Sequence, residues 1–354
     1  MNRPALSVIV PTLNEAVALP ALLADLAGQQ EVTLEVIVVD GGSADGTVKI
    51  AEDHFHQGSV TGCCLRTAPG RGRQLNAGAQ RARGDRLLFL HADSRLTDDL
   101  QLSRALEALN ARCEACQSDA LAGRFALRFD IPAGDYSLGL FFCESKARLG
   151  RPGSIHGDQG LLLSKTFFQA VGPFREDLPV MEDTCFAEQV RRQGEWLLLP
   201  GEIITSARRF QVEGFKARQT LNALLMNFLA IGWDDFFARA PAVYRQQDRT
   251  RPLQLGPFFD LVAQLLARLP AREQNSLWRA TGRYVCRQVW QLGLLLDCRR
   301  AWRQGQRTPP PTLRWLPRCV QVAVPLIDHP AGHRLCALGV RIWFARQRRR
   351  YGRA

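Results

Sequence analysis

The chain has 354 residues, of which 46% are hydrophobic and 23% charged, a balance that supports a buried core and excludes a disordered or collagen-like polypeptide. Its net charge of +12 is unevenly spread: residues 1–240 carry 25 Lys and Arg against 29 Asp and Glu, whereas residues 241–354 carry 21 arginines against five acids. The opening MNRPALSVIVP lacks a cationic segment followed by a long apolar run, and Leu221–Trp233 is interrupted by Asn222 and Asn227, so neither a signal peptide nor a spanning helix of ~20 residues is expected.

A chain read in this way belongs in the cytoplasm, with its ten cysteines as free thiols in a reducing compartment. Cys113 and Cys116 form one C-x-x-C at the end of an amphipathic helix pattern, without the second ligand pair of a zinc ribbon.

In chain order, Leu6–Val10, Leu34–Val39 and Arg86–Leu90 are short β-rich runs with the pattern of buried strands. Helical patterns at Ala16–Gly28, Thr47–Asp53, Arg73–Arg83 and Asp98–Ala111 alternate with them. Such alternation predicts an α/β fold with a mostly parallel sheet, whose strands' carboxyl ends collect the ligand-binding turns. A strand at Leu121–Phe129, a helix at Asp135–Leu149, a strand at Leu161–Leu163 and helices at Glu182–Arg192 and Phe215–Ile231 follow. Beyond residue 257 the patterns, such as Phe258–Leu269 and Ser276–Leu296, are helical. Charge and proline punctuation divide the chain into a domain at 1–240, a linker at 241–256 and a helical, arginine-rich region at 257–354.

The first strand runs into Pro11-Thr12-Leu13-Asn14-Glu15 and the second into Asp40-Gly41-Gly42-Ser43-Ala44-Asp45-Gly46-Thr47. Asp40 has the chemistry to accept hydrogen bonds from a base or ribose, and the glycines let backbone N–H groups approach a phosphate; ordinary turn and N-cap chemistry explains the same residues. Arg71-Gly72-Arg73-Gln74-Leu75-Asn76 opens a helix that leads to Leu90-His91-Ala92-Asp93. A carboxylate delivered there by an apolar strand can ligate Mg²⁺ or Mn²⁺ together with phosphate oxygens, or cap the next helix.

Taken together, PTLNEA, VVDGGSADGT, the arginine-rich NAG segment and HAD resemble the family 2 glycosyltransferases of GT-A fold, over residues 5–240. Gly157-Asp158-Gln159-Gly160, Met181-Glu182-Asp183 and Ser206–Phe210 are similar to the subgroup associated with arsenosugar biosynthesis or with radical-SAM/selenodomain proteins. The resemblance implies a GT-A-type nucleotide-diphospho-sugar transferase with a basic helical C-terminal region. Pro11, Thr12, Asn14, Glu15, Asp40, Gly41, Ser43, Asp45, Arg71, Asn76, His91, Arg208 and Arg209 would bind the nucleotide sugar. Asp93 would hold Mg²⁺ or Mn²⁺, Gly157, Asp158 and Gln159 would face the acceptor, and Asp183, with Glu182 beside it, would be the catalytic base of an inverting reaction. His91 stands where the family's Asp-x-Asp motif has its first carboxylate, and Arg209-Phe210 replaces its Arg-Trp.

The expected partners are a nucleotide-diphospho-sugar donor and a small-molecule or lipid-linked acceptor. An anionic membrane surface would meet the C-terminal arginines where they interleave with Trp302, Trp315, Ile342, Trp343 and Phe344, making the enzyme peripheral to the inner membrane face. Nucleic acid is not expected, because no binding module is recognisable. A sugar-nucleotide nucleotidyltransferase would need a Gly-rich, Arg/Lys-containing loop where PTLNE stands. A non-catalytic membrane- or nucleic-acid-binding adaptor would have His91 as its best support.

Overall fold

The computed structural model describes residues 3–245, 247, 252–310 and 312–352. They form two compact units that interleave along the chain, residues 1–131 with 147–206 and residues 132–146 with 207–354. Charge composition changes at residue 241, whereas packing passes to the second unit at 207. The expected linker start lies inside a helix, Asp234–Arg245, that continues through Pro241. Residues 246 and 248–251 of the expected linker lie outside the described residues.

The first unit contains eight strands: β1 (Leu6–Thr12), β2 (Leu34–Asp40), β3 (Gly62–Arg66), β4 (Arg86–Phe89), β5 (Ser94–Arg95), β6 (Leu121–Asp130), β7 (Leu161–Ser164) and β8 (Glu195–Ser206). They lie in the order β3-β2-β1-β4-β7-β6-β8-β5. Helices α1 (Leu19–Ala27), α2 (Thr47–His56), α3 (Arg71–Arg81) and α4 (Gln101–Cys116) occupy the connections of the first half, as the alternating patterns predict.

The sheet is mixed, so the expectation of a mostly parallel one holds only in part. Strands β3, β2, β1 and β4 are parallel, but β7 is antiparallel to both β4 and β6, and β5 is antiparallel to β8. Right-handed strand–helix–strand crossovers enforce parallel pairing in the first half, and in the second β6 also pairs parallel with β8. The strands β3, β5 and β8 were not anticipated: β3 is only partly buried, and β8 reads Glu-Trp-Leu-Leu-Leu-Pro-Gly-Glu without clean alternation.

Period-two alternation places the core on both faces. Leu6, Val8 and Val10 of β1 join Leu22 and Leu23 of α1 and Leu109 of α4 on one side. Ile9 and Phe89 join Leu75 of α3 and Phe168, Phe174 and Phe186 on the other. The latter phenylalanines come from α6 (Lys165–Val171), the loop after it and α7 (Glu182–Gln193), the helices being numbered after α5 (Leu138–Ala147). Phe174 and Phe186 stack with centroids 4.2 Å apart. That packing fixes the start of α7 against the sheet.

The second unit is helical: α8 (Arg208–Glu213), α9 (Phe215–Ile231), α10 (Asp234–Arg245), α11 (Gly256–Ala267), α12 (Ala271–Arg287), α13 (Trp290–Arg303), α14 (Trp315–Arg318), α15 (Val324–Ile327) and α16 (Pro330–Tyr351). The single helix expected at Ser276–Leu296 is two, broken at Gln288 and Val289. Two glycines allow helices to touch: a Cβ on Gly282 would lie 2.2 Å from the His333 carbonyl oxygen, and one on Gly256 2.3 Å from that of Tyr351. No helix among the described residues is long and apolar enough to cross a membrane, and all ten cysteines are free thiols.

Candidate active site

Strands β1 and β2 end in register, Thr12 opposite Asp40, and their turns are laced together. Asp40 accepts hydrogen bonds from the Thr12 hydroxyl (3.2 Å), the Gly42 and Ser43 N–H groups (2.8 and 2.9 Å) and the Ser43 hydroxyl (2.5 Å). Burial pushes its proton affinity up, but these bonds together outweigh burial and hold the carboxyl below its ordinary range. Asn14, in the left-handed region at φ 58°, donates its N–H to Ser43 Oγ and accepts from the Ala44 N–H. The Glu15 and Ala16 N–H groups bond Thr47 Oγ1 and Asp45, and Asp45 also accepts from the Thr47 N–H. The polar groups expected on the nucleotide therefore first build the rim itself.

Gln74 binds this rim to α3. Its buried amide donates to the Thr12 and Val39 carbonyls at 2.8 and 2.7 Å, and a Cβ on Gly41 would press against it at 3.2 Å. Sequence reasoning did not single out Gln74, because one glutamine on a helix carries no signal until two strand ends are brought beside it. Asn76, expected on the donor, spends its amide on the Phe174 backbone and Glu176. Its observed work is to hold the loop before α7.

One turn earlier on α3, Arg71 reaches the start of α7, where it pairs with Glu182 and, at 3.4 Å, with Asp183. Asp183 also accepts the Gly157 N–H at 2.9 Å and the Thr184 N–H at 2.6 Å. Burial raises its proton affinity, but Arg71, His156, His91 and the Gly157 N–H outweigh it and keep the carboxyl ionised well below the usual range. Glu182 is fully buried and moves the other way, because its burial outweighs Arg71.

Gly157 is fixed by crowding: a Cβ there would lie 2.7 Å from His91 Nε2 and 2.8 Å from Asp183 Oδ2. The next residue, Asp158, is pushed up to about 7 by burial and by the charges of Asp183 and Asp93. Its Oδ1 is buried without a hydrogen-bond partner. Gln159, expected to face the acceptor, is instead wholly buried: it donates to the Ser154 carbonyl and accepts from Arg124 at 3.2 Å. Gly157 is buried as well, so within this turn only Asp158 keeps partial exposure.

Arg124 was not anticipated either. It is 2% exposed on β6 and also donates to the Ala147 and Arg148 carbonyls at 2.5 and 3.2 Å. Burial, then the charge of Arg191, pushes it down to about 10, so it remains a cation at neutral pH. Arg208 and Arg209, the other cations expected on the donor, are exposed on α8 and belong to the second unit.

The first unit thus brings together Arg71, His91, Asp93, Gly157, Asp158, Glu182 and Asp183. The chemistry of this set suits a divalent cation: Asp93 follows β4, Asp158 feels its charge, and the unpartnered Asp158 oxygen is a hard donor. Among the described residues no three His, Cys, Asp or Glu side chains make a complete cage. A cation held here would draw its remaining ligands from a phosphate-bearing substrate.

Residues 7–134 match the model of glycosyl transferase family 2. The match covers 128 of the 354 residues. Within this part of the chain lie the laced turns, Arg71 and Asp93. A PGL/p-HBAD biosynthesis glycosyltransferase of Mycobacterium tuberculosis is 39% identical over 105 residues, which are 29% of this chain and 41% of that protein. A cholesterol galactosyltransferase of Borreliella burgdorferi is 28% identical over 129 residues, 36% of this chain and 35% of that protein. This chain spans less than half the length of these relatives. The mannosyltransferase PcManGT from Pyrobaculum calidifontis, solved with GDP-Man and Mn²⁺, has a TM-score of 0.50 and 18% identity, covering 97% of this chain and 88% of that one. The likeness is one of GT-A-like fold.

Proposed function

We propose that this protein is a metal-dependent, inverting glycosyltransferase that moves a sugar from a nucleotide-diphosphate donor to an acceptor hydroxyl. The observation that carries the proposal is the cluster of one arginine and several carboxylates beside the laced turns of β1 and β2. Thr12, Asn14, Glu15 and the backbone of 41–45 would receive the nucleoside, with Arg71 toward the diphosphate. Asp93, with Asp158 near it, would hold Mg²⁺ or Mn²⁺, which when bound offsets the charge of the departing diphosphate.

On the acceptor side, the hydroxyl oxygen attacks the anomeric carbon as the bond to the diphosphate breaks, and Asp183 takes the hydroxyl proton. Arg71 couples the two sides. A diphosphate that draws its guanidinium away from Asp183 removes the foremost charge lowering that carboxyl's proton affinity, so donor binding readies the base. The cholesterol galactosyltransferase among the relatives supports a lipid-like acceptor, and the downstream motifs support arsenosugar or related small-molecule glycosides.

Replacing Asp93 by Asn tests the metal assignment, since a neutral amide is a poorer ligand for a hard cation. The variant is expected to keep its melting temperature and to lose at least about tenfold in Mn²⁺-dependent affinity for a nucleotide sugar, about 1.4 kcal/mol. Calorimetry showing the same Mn²⁺-dependent affinity in both proteins would remove Asp93 from the site.

Attachment to an anionic membrane surface is a second part of the proposal, and it concerns the helical unit alone. Leu335, Leu338, Ile342 and Trp343 of α16 are exposed at 70, 54, 45 and 38%, beside Arg334, Arg341, Arg346 and Arg349. Trp302 and Phe344 instead pack inside the unit, against Tyr136 and Phe141 and against Phe259 and Trp278 respectively. Deleting residues 257–354 would strip α11–α16 from this unit, so substitution is the cleaner test. The triple variant Leu335→Ser, Leu338→Ser, Ile342→Ser is expected to lose sedimentation with phosphatidylserine vesicles, and high salt to release the wild type. Equal sedimentation of both proteins would exclude this surface.

A further inference from the structure

The helical unit contains a cleft of about 30 Å³ between α9, α11, α12 and α16. Its walls include Phe228, Trp233, Trp278 and Trp343, and no charged side chain lines it. Protein interiors are normally packed to the density of organic crystals, so an open seam among aromatic rings is an exception. One polar pair breaks the apolar wall. Asn227, 93% buried, donates its amide N–H to Thr281 Oγ1 at 3.2 Å, while its Oδ1 has no hydrogen-bond partner. Buried polar groups are nearly always satisfied, and this one belongs to a residue that lines the cleft.

We infer that this cleft binds an aliphatic alcohol, with the chain between the aromatic rings and the hydroxyl on Asn227. A hydroxyl both donates and accepts, so it satisfies the amide in either orientation of that side chain. An alkane leaves the amide unmatched. A fatty acid or an amine would bury a charge where the lining offers no counter-charge. Water, which needs two to four polar partners, meets a lining that is apolar or aromatic apart from the amide and a hydroxyl already engaged with it. The slender volume takes a chain end rather than a ring. This inference stands on the helical unit and does not depend on the transferase reading.

The test is titration of the full-length protein with 4-bromo-1-butanol, whose bromine stays close to its hydroxyl, because bromine quenches indole fluorescence on contact and three tryptophans line the cleft. Saturable quenching is expected, reversed by 1-undecanol at about one tenth of the concentration of undecane that has the same effect, the ratio that one hydrogen bond supports. Asn227→Leu should abolish the preference for alcohol over alkane, and Ile231→Trp, which fills the cleft from its rim, should weaken binding of both. Equal competition by alkane and alcohol in the wild type would overturn the inference. So would quenching that rises without saturation and is the same in both variants, which is partition onto exposed apolar surface.

Discussion

Asp183→Asn is expected to lower single-turnover rate by ~10²–10⁴-fold, the range for loss of a general base, while donor affinity and melting temperature stay near those of the wild type. The separation follows from the hydrogen bonds. Asparagine still has an oxygen to accept from the Gly157 or Thr184 N–H, and Arg71 keeps Glu182, so the start of α7 retains its ties. What is lost is the capacity to take a proton.

The pH profile gives a second, independent reading. Asp183 is held well below the ordinary carboxylate range, so its basic form persists as pH falls and disappears only far into acid. An enzyme using Asp183 should therefore keep its base ionised between pH 8 and 5, and an acid limb in that range would report Asp158, whether as metal ligand or as base. Asp158, raised to about 7, would lose its basic form as pH falls through neutrality. A limb near pH 7, together with near-normal turnover in folded Asp183→Asn, would transfer the role to Asp158.

The second large effect concerns a residue far less conspicuous in the sequence. Arg124→Ala should cost on the order of 3 kcal/mol, because it leaves a void and strips donors from the Ala147 and Arg148 carbonyls and from Gln159. For a unit of this size that corresponds to a drop of roughly 6–12 °C in melting temperature. Arg124→Met restores most of the volume and removes a buried cation with no carboxylate among the hydrogen-bond partners found for it, so it should cost about 1 kcal/mol or less. Both variants leave Gln159 without its donor and loosen the turn that carries Gly157 and Asp158. Turnover should therefore fall in both, while stability falls mainly in Arg124→Ala. Unchanged melting of the alanine variant would refute the packing role, and unchanged turnover in both would sever Arg124 from the site.

These two residues mark what could and could not be read beforehand. The place of Asp183 at a helix start was legible because Glu182-Asp183 has a spacing that resembles a family pattern, and Thr12, Asp40, Arg71 and Asp93 stood at the ends of strands or the starts of helices. Local sequence carries such information, since alternation and capping act over a few residues. The roles of Arg124, Gln74, Asn76 and Gln159 depend on partners 5–98 positions away. A polar side chain looks alike in the sequence whether it meets a ligand or a carbonyl.

The sequence by itself determined β1, β2, β4, β6 and the four helices among the first 130 residues, the polar turns after β1 and β2, and the helical, arginine-rich character of the end. Only the tertiary structure decided that the sheet is mixed, since β7 and β5 choose their direction through long-range pairing that no local period records. It also decided that packing divides at residue 207 although charge divides at 241: charge reflects the solvated surface, whereas a compact unit is defined by which apolar faces bury one another.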